Sequence, residues 1–305
     1  MIATQIRNRE SVLRLLLVLV ALIAPISPPA AAQERVTFAS LDADLAGGRA
    51  TTIAAWLYRP QGNGPFPAVV GMHGCGGLVG HSRRLRAPVL ESTFDDWAQR
   101  LQAAGYVVLM PDSYGPRGIR EICSVKDRAA VSRARPRDAY GALAWLQAQS
   151  YVAPTRIALL GWSHGGGTVM RSVEASSDAR PAVLPHGDFR AAVAFYPGCP
   201  NLRSRKGRAW RAALPLLVLI GAADDWTSPA ACPSFAEAAA KRGEDVTLHM
   251  YPGAYHAFDS PKPGVRVHTG LATAPGGSAH VGQNPEARAD ALVRVPDFLR
   301  AHLSH

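Results

Sequence analysis

Short, almost wholly apolar segments alternate along most of the chain with segments whose apolar residues recur at helical spacing. A wholly apolar strand must be covered on both faces, and an amphipathic helix provides one such cover. The strands are predicted at residues 51–58, 66–73, 107–112, 156–161, 191–196, 216–221 and 246–251, and the helices at 87–104, 132–149, 163–174, 230–242 and 286–302. This alternation predicts an α/β fold with a mostly parallel, doubly wound sheet and helices on both faces.

The two ends of this pattern differ from its middle. Residues 35–40 and 51–58 predict an antiparallel hairpin at one edge of the sheet. Residues 261–285 are rich in glycine and proline, which predicts a long surface loop before the last helix. Because the sequence shows no repeat and no linker, residues 33–305 are predicted to form a single α/β domain.

The first 32 residues have the pattern of a secretory signal peptide. Three arginines precede the apolar run LLLVLVALIAPI, and the following SPPAAA ends in small residues at Ala32. A membrane anchor is the alternative, but the run is shorter than the roughly 20 residues that a span requires. We therefore expect cleavage after Ala32 and export to the periplasm or out of the cell, with no membrane span left in the mature protein.

The formal net charge of +10 raises the question of a nucleic-acid partner. The basic residues are scattered, and the sequence has no zinc-finger spacing, RNA-binding aromatic motif or long lysine run. The charge therefore indicates a basic surface with a weak attraction for anionic substrates, and no nucleic-acid partner is predicted.

The segment GWSHG, with Ser163 at its centre, directly follows a predicted strand and begins a predicted helix. In a G-x-S-x-G elbow the serine occupies a tight, strained turn, so the residues two positions away must lack bulk. Gly161 and Gly165 meet that need. The turn lifts Oγ above the carboxyl edge of the sheet and places the next N–H at a helix N-terminus, where it can bind an oxyanion. Ser163 is therefore predicted to be a catalytic nucleophile.

A serine nucleophile needs a base and an orienting acid, and in this kind of fold they follow it in the order acid, then histidine. Asp224 and Asp225 come just after a predicted strand, and His256 follows the last predicted strand. The order favours the triad Ser163, Asp224 and His256. Asp225 is the alternative acid, or a residue that caps a helix.

Several segments resemble the dienelactone hydrolase family of α/β-hydrolases, namely GMHGCGG, MPDSYGPRG, GWSHGG, GAADDW and YPGAYHAFD. The similarity extends from about residue 66 to the C-terminus. It implies the α/β-hydrolase fold, a hydrolase acting on an ester or lactone, and an acid at the fourth residue of G-x-x-D, which is Asp224. The enzymes that gave the family its name use a cysteine nucleophile, whereas this chain has Ser163. The resemblance therefore places the chain with serine-bearing relatives and leaves the substrate open.

The same layout predicts where an oxyanion would bind. One donor is the backbone N–H of His164, and the other lies in the loop HGCGG, at Cys75 or alternatively Gly76. Cys75 as a second nucleophile is a further possibility, although no helix elbow lies beneath it. Substrate-cleft candidates occupy loops at the carboxyl edge: Tyr114, Arg117, Trp162 and Trp226. Arg117 would bind a substrate carboxylate through its fork or form a structural ion pair.

The four cysteines show no C-x-x-C spacing, so a zinc site is not predicted. In an oxidising compartment an even number of cysteines favours disulfides. In a sheet of this topology Cys75 and Cys123 leave neighbouring strands at the same edge, and so do Cys199 and Cys232. We predict these two pairs, the second of which would hold the loop that carries Asp224. Four free buried thiols are the alternative.

Together these features predict an exported serine hydrolase that cleaves a carboxylic ester or lactone through an acyl-enzyme on Ser163, without a metal or organic cofactor. A polyester hydrolase is an alternative for two reasons. The segment GWSHGGG resembles the corresponding segment of polyester hydrolases, and the connection from Tyr196 to Leu216 is too short for a lid domain. An alternative of another class is a catalytically silent binding protein on the same scaffold.

Overall fold

The computed structural model describes residues 33–82, 87–199 and 209–304, which lie in one compact unit. The predicted signal peptide, residues 1–32, lies outside the described residues. The strands are β1 (Gln33–Ala39), β2 (Thr52–Tyr58), β3 (Phe66–Met72), β4 (Val79–Ser82), β5 (Ala87–Leu90), β6 (Val107–Asp112), β7 (Val152–Trp162), β8 (Ala191–Phe195), β9 (Leu216–Gly221), β10 (Val246–Tyr251), β11 (Val265–Thr269) and β12 (Ser278–Gly282). The helices are α1 (Ser92–Ala103), α2 (Ala129–Gln147), α3 (His164–Ser172), α4 (Cys232–Lys241) and α5 (Pro285–Leu303).

The central sheet has eight strands in the order β1-β2-β6-β3-β7-β8-β9-β10. β2 is antiparallel to both β1 and β6, and the other neighbours are parallel. The predicted mostly parallel sheet and the predicted antiparallel hairpin at its edge are confirmed. Since parallel strands end at the same edge, the loops after β3, β7, β9 and β10 meet there.

The strands are apolar throughout because the sheet is covered on both faces. Successive strand residues point to opposite faces, so Val69 packs in one buried cluster and Val70 in the other. Trp97 of α1 and Leu299 of α5 belong to the first cluster, and Leu143 of α2 belongs to the second. This two-sided burial is the reason that the strand segments lack the polar alternation of a half-exposed sheet.

The first helix begins later than the sequence pattern predicts. Residues 87–90 form β5, which pairs antiparallel with β4, so the prediction of a helix from residue 87 is wrong at its start. Pro88 disfavours helical geometry in the residue before it. The helix begins after Glu91, whose side chain accepts the Thr93 N–H at 2.9 Å and satisfies a donor of the first turn.

The prediction of one long surface loop over residues 261–285 is also wrong. β11 and β12 form an antiparallel hairpin there, with Val265 opposite Gly282. The hairpin lies against the loop after β10, because the Gly282 N–H donates to the His256 carbonyl at 2.9 Å. Every residue of β11 is exposed, and the alternation of apolar and polar residues in its sequence VRVHT is only five residues long within a segment rich in glycine and proline.

Both predicted disulfides are present. Cys75 and Cys123 have Cα atoms 5.0 Å apart, and Cys199 and Cys232 have Cα atoms 5.1 Å apart. The pairings are confirmed, and the alternative of four free thiols is wrong. Among the described residues, no helix combines the length and apolarity needed to cross a membrane.

Candidate active site

Ser163 lies in the turn between β7 and α3, at the carboxyl edge of the sheet. Its backbone has φ 55° and ψ −116°, a conformation that residues with side chains rarely adopt. Two backbone hydrogen bonds hold the turn. The Ser163 N–H donates to the Phe195 carbonyl at 2.9 Å, and the Gly167 N–H donates to the Ser163 carbonyl at 2.8 Å. Because these contacts fix the backbone conformation of Ser163, they also fix the direction in which its side chain leaves the turn.

The flanking glycines are required by close packing around this turn. A Cβ on Gly161 would lie 2.4 Å from the carbonyl oxygen of Gly165. A Cβ on Gly165 would lie 1.9 Å from the carbonyl oxygen of Met72, in the neighbouring strand β3. Neither position has room for a side chain, which is the constraint that the G-x-S-x-G pattern indicates.

The three predicted triad residues meet at this edge. His256 Nε2 lies 2.9 Å from Ser163 Oγ, and His256 Nδ1 lies 2.8 Å from Asp224 Oδ2. A carboxylate only accepts, so Nδ1 carries the proton and Nε2 is left to accept the serine hydroxyl proton. Asp224 and His256 are both buried. Asp225, the alternative acid, is exposed and instead lies 2.7 Å from His280 Nδ1.

Thr227 holds the carboxylate of Asp224 in place, and the sequence argument missed it. Its hydroxyl donates to Asp224 Oδ2 at 2.8 Å and lies 3.1 Å from His256 Nδ1. Asp224 Oδ1 accepts the backbone N–H groups of Trp226 at 2.9 Å and of Thr227 at 2.8 Å. An aspartate that binds backbone N–H groups two and three residues later is a common turn, so the run Asp224 to Thr227 carried a usable signal.

Asp259 links the strand before Ser163 to the loop after His256. Its carboxylate accepts the indole N–H groups of Trp97 at 2.8 Å and Trp162 at 2.9 Å and the hydroxyl of Tyr196 at 2.7 Å. Asp259 is fully buried, and burial raises the pKa of its carboxyl. This group was also missed, because its three donors come from distant parts of the sequence.

The loop HGCGG lies beside Ser163. A Cβ on Gly74 would be 3.6 Å from Ser163 Cβ. His73 braces the loop, since its Nδ1 lies 2.8 Å from the Gly74 carbonyl and its Nε2 accepts the Ser113 N–H at 3.2 Å. The sulfur of Cys75 is bonded to Cys123, so Cys75 has no thiol and the possibility of a second nucleophile is wrong.

The backbone N–H of His164 is the first of helix α3, and the first N–H groups of a helix have no acceptor within the helix. It follows Ser163 directly, and Gly74 of the HGCGG loop lies next to the Ser163 side chain. The N–H groups of His164 and of Cys75 or Gly76, which are predicted to be oxyanion donors, therefore belong to two segments that approach each other at Ser163.

Two of the predicted cleft residues lie elsewhere. Tyr114 is buried, with its hydroxyl 3.0 Å from His164 Nδ1. Arg117 binds Asp138 at 2.7 Å and Asp42 at 2.6 Å, which is the structural ion pair of the two alternatives. Because Asp138 is fully buried, it needs a cation beside it. Neither Tyr114 nor Arg117 is among the residues that line the described cavities beside Ser163.

Two cavities border Ser163. The first, of about 300 Å³, is also lined by Trp162, Trp226 and His256. Its other walls include Phe94, Tyr196, Lys262, Arg266, His268 and Val281. The second, of about 310 Å³, lies on the His164 side, with Arg128, Arg171 and Thr273 among its lining residues. The hairpin residues of the first cavity were missed, because the sequence pattern placed them in a surface loop.

The side chain of His164 points into a buried polar cluster. Its Nδ1 lies 2.6 Å from Arg135 Nη1, and its Nε2 lies 3.0 Å from Ser132 Oγ. A guanidinium only donates, so Nδ1 accepts and Nε2 carries the proton. Burial, and then the charge of Arg135, lower the pKa of His164 far below its ordinary value. The imidazole of His164 is therefore neutral in the folded protein.

This shift predicts a loss of stability in acid. Below about pH 6.5 the unfolded chain protonates His164 and the folded protein does not, so stability is lost as pH falls. In H164Q the amide can still accept from Arg135 and donate to Ser132. We expect the free energy of unfolding of wild type, relative to that of H164Q, to fall by about 1.4 kcal/mol per pH unit below that point. Urea unfolding of both proteins between about pH 7.5 and about pH 5 measures this, and a pH-independent difference would contradict it.

The sequence profile of the dienelactone hydrolase family matches residues 53–303. Among solved structures, a putative dienelactone hydrolase from Klebsiella pneumoniae has a TM-score of 0.59 at 18% identity, with 88% of this chain and 98% of that chain covered. A dienelactone hydrolase-like promiscuous phosphotriesterase from metagenomic libraries has a TM-score of 0.61 at 19% identity, covering 89% and 99%. Esterase 2 of Thermogutta terrifontis has a TM-score of 0.57 at 19% identity, covering 90% and 96%. At these identities the likeness shows the fold. Among curated proteins, none matches the chain.

Proposed function

The chain belongs to the dienelactone hydrolase family, and from this premise we propose that it is a serine hydrolase that cleaves a carboxylic ester or lactone through an acyl-enzyme on Ser163. Since the chain belongs to this family, it is a hydrolase that acts on esters. The proposal for the nucleophile is supported by one observation above all, the hydrogen-bonded series from Ser163 Oγ through His256 to Asp224 at the border of two cavities.

The reaction would begin with His256 acting as a general base. Nε2 takes the proton of Ser163 Oγ as that oxygen attacks the acyl carbon, and Asp224 stabilises the imidazolium that forms. The negative charge on the carbonyl oxygen is bound by the N–H groups of His164 and of Cys75 or Gly76. The imidazolium then protonates the leaving alcohol. Water, deprotonated by His256, attacks the acyl-enzyme and releases the acid.

The two cavities would hold the two halves of the ester. The cavity of about 300 Å³ has Phe94, Tyr196 and Trp226 in its walls, so it suits an apolar or aromatic group of modest size. The cavity on the His164 side has Arg128 and Thr273 in its wall, so it suits a polar group. A small ester or lactone with one apolar half is therefore the substrate class that the site favours.

A series of p-nitrophenyl esters tests this class. We expect short acyl chains, from acetate to hexanoate, to differ less than about 10-fold in kcat/KM, because methylenes added within the cavity change binding only modestly. Palmitate exceeds the cavity and is expected to be at least about 100-fold slower. Equal turnover of palmitate and butyrate would contradict a substrate of modest size.

A polyester hydrolase is the second candidate, and the hairpin beside the first cavity favours it. Val265 and Val267 of β11 are 46% and 56% exposed, while Arg266 and His268 between and after them line the cavity. Because neighbouring strand residues point to opposite faces, the two valines lie on the face of β11 opposite to the cavity wall, where an apolar polymer surface wider than the cavity would contact them. Release of soluble acids from a polyester film would support this candidate, and hydrolysis of soluble esters without such release would exclude it.

We also propose that the protein is exported. The signal-peptide pattern of residues 1–32 supports this, and so do the two disulfides, since disulfides persist mainly in oxidising compartments. The expected result is that the mature chain begins at Gln33 in the periplasm or the medium. N-terminal sequencing of the protein from cell fractions measures it, and an uncleaved chain in the cytoplasm would contradict export.

A further inference from the structure

Arg135, on helix α2, is fully buried without a carboxylate partner. Within the described part of the chain its side chain donates to His164 Nδ1 at 2.6 Å, to the His73 carbonyl at 2.5 Å and to Tyr114 Oη at 3.4 Å. Its Nε has no hydrogen-bond partner there. A buried charge is costly unless an opposite charge lies beside it, so this arrangement requires an explanation.

Arg137 and Arg288, which are also buried, and the half-buried Arg117 are paired with carboxylates. Arg137, two residues further along the same helix, binds Asp44 at 2.7 Å. Arg117 binds Asp138, and Arg288 binds Asp96 at 2.7 Å. Arg135 differs from all three, since no ion pair joins it to a carboxylate among the described residues. Its charge is therefore available to a negative charge that arises during the reaction.

The two segments that Arg135 holds are those that carry the proposed oxyanion donors. His164 supplies one donor from its own backbone, and its ring is bound by the guanidinium. The His73 carbonyl begins the HGCGG loop, two residues before Cys75. The planar guanidinium joins both segments through separate nitrogens, Nη1 and Nη2, so it sets the spacing between them.

We propose that Arg135 is a positioning residue for the oxyanion hole, holding its two donor segments together and adding a buried positive charge behind them. This inference rests on the proposed function, in which Ser163 is the nucleophile. In the free protein no carboxylate of the described residues lies within ion-pair distance of the cation, and in the transition state the carbonyl oxygen bound by the two segments becomes negative. The interaction strengthens as the reaction proceeds, so it raises kcat more than it tightens substrate binding.

Three variants test the proposal: R135M, R135K and the control R137M. Loss of one oxyanion donor typically lowers kcat by about 10²- to 10³-fold, so we expect R135M to lose about 10³-fold in kcat with KM changed less than about 3-fold. R135K keeps the charge but cannot reach both segments, and is expected to lose about 10-fold. R137M removes another buried arginine from the same helix, away from the site, and should keep wild-type kcat.

A second measurement separates positioning from simple support of the fold. A phenylboronic acid forms a charged tetrahedral adduct with a serine nucleophile, so its affinity should fall in parallel with kcat across the variants. Thermal unfolding reports the structural contribution separately. If R135M does not fold, the kcat and the boronic acid affinity of R135K test the proposal in its place.

Folded R135M or R135K with wild-type kcat and wild-type boronic acid affinity would overturn the proposal. So would an equal loss of kcat in R137M, since the effect would then come from helix stability. Fluorophosphonate labelling of Ser163 in the wild type keeps these outcomes distinct from a failure of the proposed function. If Ser163 is labelled but the Arg135 variants react normally, only the inference about Arg135 is wrong.

Discussion

Replacing Ser163 with alanine is expected to lower kcat for a short-chain p-nitrophenyl ester at least about 10⁴-fold, since the acyl-enzyme cannot form without the hydroxyl. The residual rate would come from water attacking a substrate that is still bound near the oxyanion donors. Alanine keeps the Cβ, so the turn between β7 and α3 is preserved and the protein should fold. Initial rates, together with circular dichroism and thermal unfolding, measure the effect.

Ser132 provides a matched control for this substitution. It is a buried serine near the same site, and its Oγ lies 3.0 Å from His164 Nε2 and not against His256. We expect S132A to keep kcat within about 10-fold, because it removes one hydrogen bond to a side chain that does not react. Substantial activity in folded S163A would remove Ser163 from the role of nucleophile.

The second large effect is expected at Asp224, with Asp225 as its neighbour and control. In D224N the amide can donate to His256 Nδ1, which places the imidazole proton on Nε2 and leaves no lone pair facing Ser163 Oγ. A wrong tautomer of this kind lowers kcat by about 10⁴-fold. Asp225 is exposed and pairs with His280, so D225N should stay within about 3-fold of wild type.

Steady-state kinetics of the two variants decide between the two adjacent carboxylates. Both substitutions remove one negative charge from the same loop, so a general electrostatic effect would appear in both. The reverse result, an inactive D225N with an active D224N, would assign the acid to Asp225 and would contradict the hydrogen bond at 2.8 Å as the functional one.

The fold and the strained turn at Ser163 could be predicted from local sequence because local packing dictates them. Gly161 and Gly165 are needed where a Cβ would strike a carbonyl oxygen, and that need depends only on the strand–turn–helix sequence around Ser163. The disulfide between Cys75 and Cys123 could be predicted because neighbouring parallel strands end at one edge. In each case the topology alone brings the groups together.

The residues that sequence reasoning misplaced or missed depend on contacts between distant segments. Arg117 was open to two roles, and the choice depends on Asp138, which lies on a different element. Arg135 and Asp259 give no local pattern, because their partners come from several loops and strands. The role of such a side chain follows from its contacts. It can be assigned only when the fold shows which residues lie beside it.

The hairpin of β11 and β12 was missed for a different reason. Its first strand, VRVHT, alternates apolar and polar residues, but the alternation covers only five residues in a segment rich in glycine and proline, and none of the five is buried. Its position is set by backbone contacts to the loop of His256 and by the Asp225–His280 pair. These contacts place Arg266 and His268 in the cavity wall, so the substrate cleft is the part of the site that sequence patterns describe least well.

The most direct test of the central claim is covalent labelling with a fluorophosphonate, followed by peptide mapping by mass spectrometry. The proposed function predicts a single adduct on Ser163, absent in S163A and formed much more slowly in D224N, since the probe reacts only with a serine whose proton His256 can take. Folded wild-type protein that takes up no label would indicate a catalytically silent binding protein on this scaffold. An adduct on any other residue would contradict the assignment of Ser163 as the nucleophile.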